Sequence, residues 1–228
     1  MDDMSMGNYF VRIARDARIF MLMQHYMWKE ILAYRISSLF LMFAIALGPL
    51  INFVFITIIY TVSNGIGGWS YYQLLMLSGV SSVAISMMYY FVQPWNLTNL
   101  MRDGGLDIYL VRPYSAYLTV LALGNPYSIS SAGTGIIIIV YSMLHLAMPA
   151  LQVIEFVAMM AIGIAVLVTF MVIFSLAMYK LMRSANWTHN MINIFSSFAS
   201  YPLTIYGILG LFVLSFIVPV GIATYYPV

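Results

Sequence analysis

Residues 94–115 read PWNLTNLMRDGGLDIYLVRPYS and form the one long polar interval in a chain of 228 residues that is otherwise apolar. The chain has nine Lys and Arg and seven Asp and Glu residues, sixteen charges in all. Four of them fall in this interval: Arg102, Asp103, Asp107 and Arg112. The interval therefore separates two apolar parts of the chain and concentrates four charged residues in one segment.

The interval has the pattern of two short helices joined by a turn. Gly104 and Gly105 can turn the backbone sharply at little steric cost. We predict that one helix ends at Met101 or Arg102 and that a second begins near Leu106. Pro113 should stop the second helix, because proline disfavours helical backbone in the residue before it. This predicts a compact docking feature rather than a flexible linker.

The composition is that of a polytopic membrane protein. Hydrophobic residues make up 63% of the chain and charged residues only 7%, whereas charged residues approach about a quarter of a soluble domain. Membrane-spanning chains without barrel patterning are helical, because each backbone polar group must be satisfied internally. We therefore predict an all-α fold. The chain has no cysteine, which excludes disulfides and thiolate chemistry, and a net charge of +2 is too small to indicate nucleic-acid binding.

The N-terminal region, residues 1–35, predicts an amphipathic helix at the membrane surface. Apolar side chains recur at helical spacing over residues 9–34, and the charges fall on another face. The cationic positions of this elbow helix are Arg12, Arg15, Arg18, Lys29 and Arg35. Such a helix can lie among lipid headgroups with its cations turned toward phosphate. The alternative is a soluble helix packed on a neighbouring domain.

Residues 36–228 predict a transmembrane domain of about five helices, with a cytoplasmic loop at 94–117. Crossing a bilayer takes about 20 apolar residues. The predicted spans cover residues 36–62, 73–91, 117–146, 153–179 and 187–200, the third of them interrupted at Gly124-Asn125-Pro126. Residues 202–218 are apolar but begin at Pro202 and are followed directly by Pro219. They predict either a broken or re-entrant segment or the second half of one long kinked span.

The positions of the cations predict the orientation. Five Lys and Arg residues precede the first span, two lie between the second and third, and two lie between the fourth and fifth. The alternate loops, 63–70 and 147–152, have none. Because cytoplasmic loops carry the excess of Lys and Arg, we expect a multi-pass protein of the cell membrane with a cytoplasmic N-terminus.

Few residues are candidates for chemistry within the membrane. His145 and Glu155 flank the turn between the third and fourth spans, and we expect them to form an interfacial hydrogen-bonded pair. His189 is expected to be an interface anchor. The sequence has no HExxH motif and no GxxxxGK[ST] loop, so we expect neither a zinc-protease site nor nucleotide hydrolysis by this chain. We predict no catalytic residues and no metal site. The nineteen methionines could line an adaptable apolar pathway, although such residues more often fill a core or face lipid.

In its order of features the chain resembles the membrane subunits of ABC-type exporters of the type 2 permease class. The most specific piece is Gly104-Gly-Leu-Asp-Ile-Tyr-Leu-Val-Arg-Pro113, which follows the second span. Ala33-Tyr-Arg35 precedes the first span. Three further pieces follow in order: Ser200-Tyr-Pro-Leu-Thr-Ile-Tyr206, Ile217-Val-Pro-Val-Gly221 and Tyr225-Tyr-Pro227. Such permeases usually have six spans, whereas about five are predicted here.

The resemblance implies a function and a partner. In that family the loop after the second span docks on a separate ATP-hydrolysing subunit, which binds ATP and Mg²⁺, and the permease itself binds no cofactor. The implied coupling positions here are Arg102, Asp103, Gly104, Gly105, Leu106, Asp107, Arg112 and Pro113. The resemblance further implies a homodimer or a heterodimer with a second permease, and export of a cargo that we expect to be hydrophobic or amphipathic.

A non-transporting membrane scaffold that recruits a cytoplasmic partner through residues 94–117 is the alternative hypothesis. It shares every topological feature above. An intramembrane enzyme is disfavoured, because the sequence offers no catalytic constellation.

Overall fold

The computed structural model describes residues 6–63, 68–111, 115–122, 124–182 and 185–228. Within these residues the chain is helical and contains no β-strand, which confirms the predicted all-α class. The α-helices are α1 (Met6–Ala33), α2 (Arg35–Ser63), α3 (Tyr71–Phe91), α4 (Pro94–Arg102), α5 (Asp107–Leu110), α6 (Ala116–Leu121), α7 (Ile129–Leu146), α8 (Ala150–Met182), α9 (Ala185–Ala199), α10 (Gly207–Phe212) and α11 (Val220–Thr224). Short 3₁₀ segments occupy Pro126–Ser128 and Leu203–Tyr206, and a π-helical turn occupies Val213–Ile217.

Four helical stretches of the described chain are long and apolar enough to cross a membrane. They are Arg35–Ser63, Tyr71–Arg102, Pro126–Leu146 and Ala150–Leu181. A fifth crossing is possible if the bent pair Asn186–Ala199 and Leu203–Ile217 is one span. The prediction of about five helices with a broken last part is therefore confirmed, and the chain is a multi-pass membrane protein.

The last two helical segments that could enter the membrane are joined by a sharp bend. The two arms are bent by 113° at residues 200–202, so the second arm turns past the perpendicular and runs partly back. The 15 residues of α9 extend only about 22 Å at about 1.5 Å per residue, which is less than the roughly 30 Å hydrocarbon core. Both predicted arrangements, a re-entrant segment and one broken span, are consistent with this bend.

Helix α3 is the centre of the bundle. It packs against α2, α7, α8, α9 and α11, and its residues from Leu74 to Val80 are all buried. The backbone N–H of Asn125 donates to the Tyr89 carbonyl at 2.7 Å, while the Tyr72 and His145 rings stack 4.5 Å apart at the other end. Helices α3 and α7 are therefore antiparallel. We call the end of the bundle that carries residues 94–111 the loop end, and the other the far end.

The third crossing is shorter than predicted. Residues 117–146 do not form one crossing, because α6 ends at Leu121 and contacts α1 and α5, while Val120 and Leu121 pack on the buried core of the bundle. The crossing starts at Pro126, where the Asn125 side chain caps the first turn by accepting from the Tyr127 N–H. Gly124 makes the break possible: a Cβ there would lie 1.8 Å from the Tyr90 carbonyl oxygen. The chain can pass the end of α3 only without a side chain.

The predicted N-terminal helix is confirmed as α1, which is separated from α2 by Tyr34 alone. It packs on the loop end of the bundle. The Phe20 and Phe91 rings stack at 6.4 Å, and the Trp28 Nε1–H donates to the Tyr90 hydroxyl at 3.4 Å. Aromatic side chains on one face of α1 therefore attach it to the end of α3.

Candidate functional site

The polar interval folds as a helix, a tight turn and a second short helix, as predicted. Helix α4 ends at Arg102, and α5 begins at Asp107. Gly104 takes a left-handed conformation with φ of 72°, which favours glycine. The turn is closed by the Leu106 N–H, which donates to the Leu100 carbonyl at 3.2 Å. This hydrogen bond across the turn makes the segment compact.

This turn is anchored by apolar side chains and presents its charges outward. Met101 and Leu106 pack against the buried cluster at the loop end, which includes Met88, Val92 and Leu97. Arg102 and Asp103 are exposed, and the Arg102 Nε donates to Asp103 Oδ1 at 2.9 Å. Asp107 is exposed as well. The anchors fix the turn while the carboxylates and the guanidinium stay accessible.

The outer face of α5 also carries apolar side chains. Ile108, Leu110 and Val111 are 60%, 56% and 82% exposed. Large apolar side chains beside charges at the tip of a loop are typical of a protein-docking surface rather than of a solvated turn. We call residues 102–111 the docking turn.

Helix α4 connects the docking turn to the bundle. It packs on both α8 and α9. Thr98 of α4 and Thr188 of α9 are fully buried, and their hydroxyl oxygens lie 3.3 Å apart. A displacement of α4 therefore acts directly on the first turn of α9.

The elbow cations lie at the same end of the molecule. Four of them are exposed: Arg15, Arg18 and Lys29 on α1, and Arg35 at the start of α2. Helix α6 contacts both α1 and α5, so the elbow and the docking turn are neighbours of one short helix. The structure thus brings the two predicted groups of residues to one end of the bundle.

Some predicted positions lie outside the described residues. They are Arg112 and Pro113 of the coupling loop, and the side chain of Arg12 in the elbow helix. Their roles remain predictions.

A second feature is a polar cleft among helices α2, α3, α7 and α9, with a volume of about 540 Å³. Most of the residues that line it carry a hydroxyl or a carboxamide, but apolar atoms form most of its exposed surface. The polar side chains that line it are Asn52, Ser81, Ser82, Ser86, Tyr89, Ser128, Ser131, Asn193, Ser196, Ser197 and Ser200. No charged residue is among the described residues that line it. We call this the serine cleft.

The serine cleft was not predicted from the sequence. Ser81, Ser82 and Ser86 resemble the small residues of any helix contact, and Asn52 is isolated in its span. The available signal was on α9, where Asn193, Ser197 and Ser200 recur every three or four residues and so share one face. The positions on α2, α3 and α7 join that face only through packing.

Most of the sequence matches a known protein family. Residues 46–228 match the family described as "ABC-2 family transporter protein". The chain belongs to the ABC-2 transporter family. Comparisons with curated proteins and with solved structures find no match. The match confirms the resemblance to type 2 permeases that the sequence indicated.

Membership gives this ABC-2 permease a general function. Its family comprises membrane subunits of ABC transporters, which are in general not themselves catalytic and work in systems with an ATPase partner. Transmembrane transport is therefore its class of activity. The matched residues include the docking turn and every lining residue of the serine cleft except Ile45.

The ionisable residues at the far end of the permease are arranged differently from the prediction. His145 and Glu155 do not pair: the His145 Nδ1 lies 2.9 Å from the Tyr141 carbonyl oxygen. The His145 ring also lies 4.5 Å from Tyr72 and 4.4 Å from Tyr141. Tyr141 lies one turn earlier on α7, and Tyr72 comes from the packing of α3 against α7, so the His145 ring has two aromatic neighbours without reaching the carboxylate across the turn.

His189 lies in the first turns of α9. Its Nε2 is 3.0 Å from the Asn193 Nδ2, so a polar contact connects the first turns of α9 to the serine cleft. Within the described part of the permease, no three His, Asp or Glu side chains come close enough together to hold a metal ion.

Proposed function

We propose that this chain is the membrane-spanning permease subunit of an ATP-driven ABC-type exporter. In this proposal a separate ATPase subunit, which binds ATP and Mg²⁺, docks on the loop at 94–117. The observation that carries the proposal is the docking turn, where exposed charges and exposed apolar side chains sit on a segment that Leu106 and Met101 anchor to the core.

The packing supports a mechanical role for this turn. Force applied to α5 passes along α4 to the buried contact between Thr98 and Thr188. Helix α9 carries that contact on its first turn, and the serine cleft begins about one and a half turns further on, at Asn193. Because packed helices move as rigid bodies, closure of the ATPase subunits would shift one wall of the cleft. The cleft is then the cargo path.

A second permease would complete this path. In the apolar stretch of α2 that is long enough to cross the membrane, only 11% of residues are buried within the chain. Helix α2 nevertheless forms one wall of the serine cleft. An apolar helix beside an open polar cleft favours a neighbour that covers both. We propose that the permease works as a homodimer or a heterodimer in the cell membrane, with its N-terminus and docking turn in the cytoplasm. The cargo is hydrophobic or amphipathic, because it must leave or cross the bilayer beside such a path.

Removing the charges of the loop tests the ATPase coupling. In a complex reconstituted with its ATPase subunit, Asp107→Ala combined with Arg112→Ala should lower ATP hydrolysis and co-purification of that subunit by about tenfold or more, since about 1.4 kcal/mol of lost contact is tenfold in affinity. Glu155→Ala removes an exposed carboxylate at the far end and is the control. Hydrolysis and co-purification at parent levels in the double variant would contradict the proposal.

A further inference from the structure

A separate cleft lies at the loop end, between the elbow helix and the bundle. It has a volume of about 440 Å³ and is bounded by α1, α2 and the segments that flank α6 and α4. Four polar side chains are among the described residues that line it: Glu30, Gln93, Asn125 and Tyr127. The other described lining residues are apolar or glycine. We call this the elbow cleft.

The elbow cleft lies at the level where the crossing helices begin and end. Gln93 comes two residues after the end of α3 at Phe91, and Pro126 starts the third crossing. Leu41 is on α2, six residues past its start at Arg35, which is about 9 Å along the helix at about 1.5 Å per residue. The cleft therefore extends from the headgroup level of the membrane toward its hydrocarbon.

Glu30 brings to this cleft a carboxylate that no cation of the described chain neutralises. The Lys29 Nζ lies 5.6 Å from the centre of the Tyr26 ring. The Arg35 Nε donates to the Leu32 carbonyl at 3.3 Å. Within the described residues the Glu30 side chain makes neither an ion pair nor a hydrogen bond. Because Glu30 is exposed, a donor from outside the chain can reach it.

Two half-buried amides add a further acceptor and a donor. The Gln93 side chain makes no hydrogen bond within the described residues, so its oxygen is available. The Asn125 Oδ1 accepts from the Tyr127 N–H at 3.0 Å, which leaves the Nδ2 protons without an acceptor in the described part of the chain. The Tyr127 hydroxyl lies 3.4 Å from the Ser38 hydroxyl and is already paired.

From these groups we propose that the elbow cleft binds a phospholipid with a primary ammonium headgroup, of which phosphatidylethanolamine is the simplest. An ammonium has three N–H donors, which suit the Glu30 carboxylate and the Gln93 oxygen. The phosphate, one ethylene unit away, can accept from the Asn125 Nδ2. The volume of about 440 Å³ is ample for such a headgroup.

The apolar part of the lipid has a surface to follow. Leu41 lines the cleft and is 45% exposed. Beyond it the apolar stretch of α2 is mostly unburied within the chain, so the acyl chains can lie along this helix. The inference goes beyond the proposed export function, since a lipid bound here requires neither cargo nor an ATPase subunit.

Other headgroups match these side chains less well. A phosphatidylcholine headgroup has the positive charge but no N–H to donate. Quaternary ammonium groups are bound instead by cages of aromatic faces, and Tyr127 is the only aromatic side chain among the described lining residues. An anionic headgroup such as phosphatidylglycerol would bring a second negative charge beside the unpaired Glu30 carboxylate without neutralising it.

Retention of lipid by the purified full chain tests the proposal. The permease in detergent is equilibrated with equimolar dioleoyl phosphatidylethanolamine, phosphatidylcholine and phosphatidylglycerol, then washed on an affinity column, and its bound lipids are quantified by mass spectrometry. Retained phosphatidylethanolamine should exceed each of the others about tenfold, because only its headgroup makes charge-assisted hydrogen bonds. Retention in the proportions of the mixture, or a preference for either other lipid, would overturn the proposal.

A matched pair of elbow carboxylates assigns the lipid to the cleft. Glu30→Gln keeps the size of the side chain, removes its charge, and should abolish the preference for phosphatidylethanolamine. Asp16→Asn removes the same charge from the same helix outside the cleft and should keep the parent preference. Equal loss in the two variants would mean that the elbow attracts ammonium groups by its overall charge, which would overturn the assignment.

A second variant and a soluble probe complete the test. Gln93→Leu should lower the preference about threefold through one lost hydrogen bond, with an unchanged unfolding midpoint, because the Gln93 side chain does not cap α4. Glycerophosphoethanolamine has the same headgroup without acyl chains and should not displace the retained lipid. Displacement by this probe, or an unchanged preference in Gln93→Leu, would contradict a lipid site at this cleft.

Discussion

At the scale of single residues, Gln24 and Gln73 differ in how the hydrogen bonds of their side-chain amides are satisfied. Both polar atoms of its amide are buried on α1, and neither has a hydrogen-bond partner within the described residues. Burying an amide without a partner costs about 1–3 kcal/mol. Gln73 is the opposite case: its Oε1 accepts from the Ser70 N–H at 2.9 Å, while its own N–H donates to the Ser70 hydroxyl. This reciprocal capping box starts α3.

The same substitution should therefore have opposite effects at these two positions. Gln24→Met should raise the thermal unfolding midpoint of the detergent-solubilised protein, because it removes an unpaired buried amide and keeps the volume. Gln73→Met should lower it, with a loss of about 1 kcal/mol from the missing cap. Fluorescence-detected unfolding measures both. A midpoint that falls in both variants would mean that the Gln24 amide is satisfied.

At the scale of elements, the contact between α3 and α7 depends on two glycines. A Cβ on Gly135 would lie 2.9 Å from the Gly79 carbonyl oxygen, and a Cβ on Gly79 would lie 2.9 Å from the Gly135 carbonyl oxygen. Close backbone approach through small residues is how helices associate in a bilayer, where lipid competes with apolar side chains. Gly133, on the same helix, has nothing within 4 Å of its Cβ position.

These two positions on α7 make a matched pair. Gly135→Val should destabilise the bundle by about 1–3 kcal/mol, because two backbones must separate to admit the side chain. Gly133→Val adds the same residue to the same helix in open space and should leave stability close to that of the parent. The measurement is the unfolding midpoint in detergent, together with the yield of folded protein. Equal losses would mean that helix propensity, rather than helix contact, sets the cost.

At the scale of the whole molecule, the distribution of charge orients the bundle in the membrane. The docking turn and the elbow cations lie at the loop end. The turn at the far end, residues 147–149, has neither Lys nor Arg. The positive-inside rule predicts that the loop end faces the cytoplasm, where the proposed ATPase subunit would reach it.

Cysteine labelling tests this orientation without background, because the chain has no cysteine. In intact cells, a membrane-impermeant maleimide should label Glu155→Cys but not Asp107→Cys. After permeabilisation it should label both, since both positions are exposed. Labelling of Asp107→Cys in intact cells would reverse the orientation and remove the basis for cytoplasmic coupling.

The sequence alone determined the all-α membrane fold class, the approximate positions of the spans and the break between α4 and α5. These depend on local properties: the length of an apolar run, the placement of charge, and glycines such as Gly104 that permit a turn. The docking turn could be predicted for the same reason, because its charged residues lie close together along the chain. Family membership followed from the same interval and from the order of features around it.

Only the tertiary structure decided which side chains meet. In a bilayer the face of a helix toward lipid and the face toward its neighbours are both apolar, so periodicity does not reveal the rotation of each helix. Asn52, Ser82 and Ser197 therefore line one cleft that the sequence of no single span predicts. Likewise, His145 packs on Tyr72 instead of reaching Glu155. The 113° bend after α9 is likewise decided by packing, since prolines permit a break but do not set the direction of the chain beyond it.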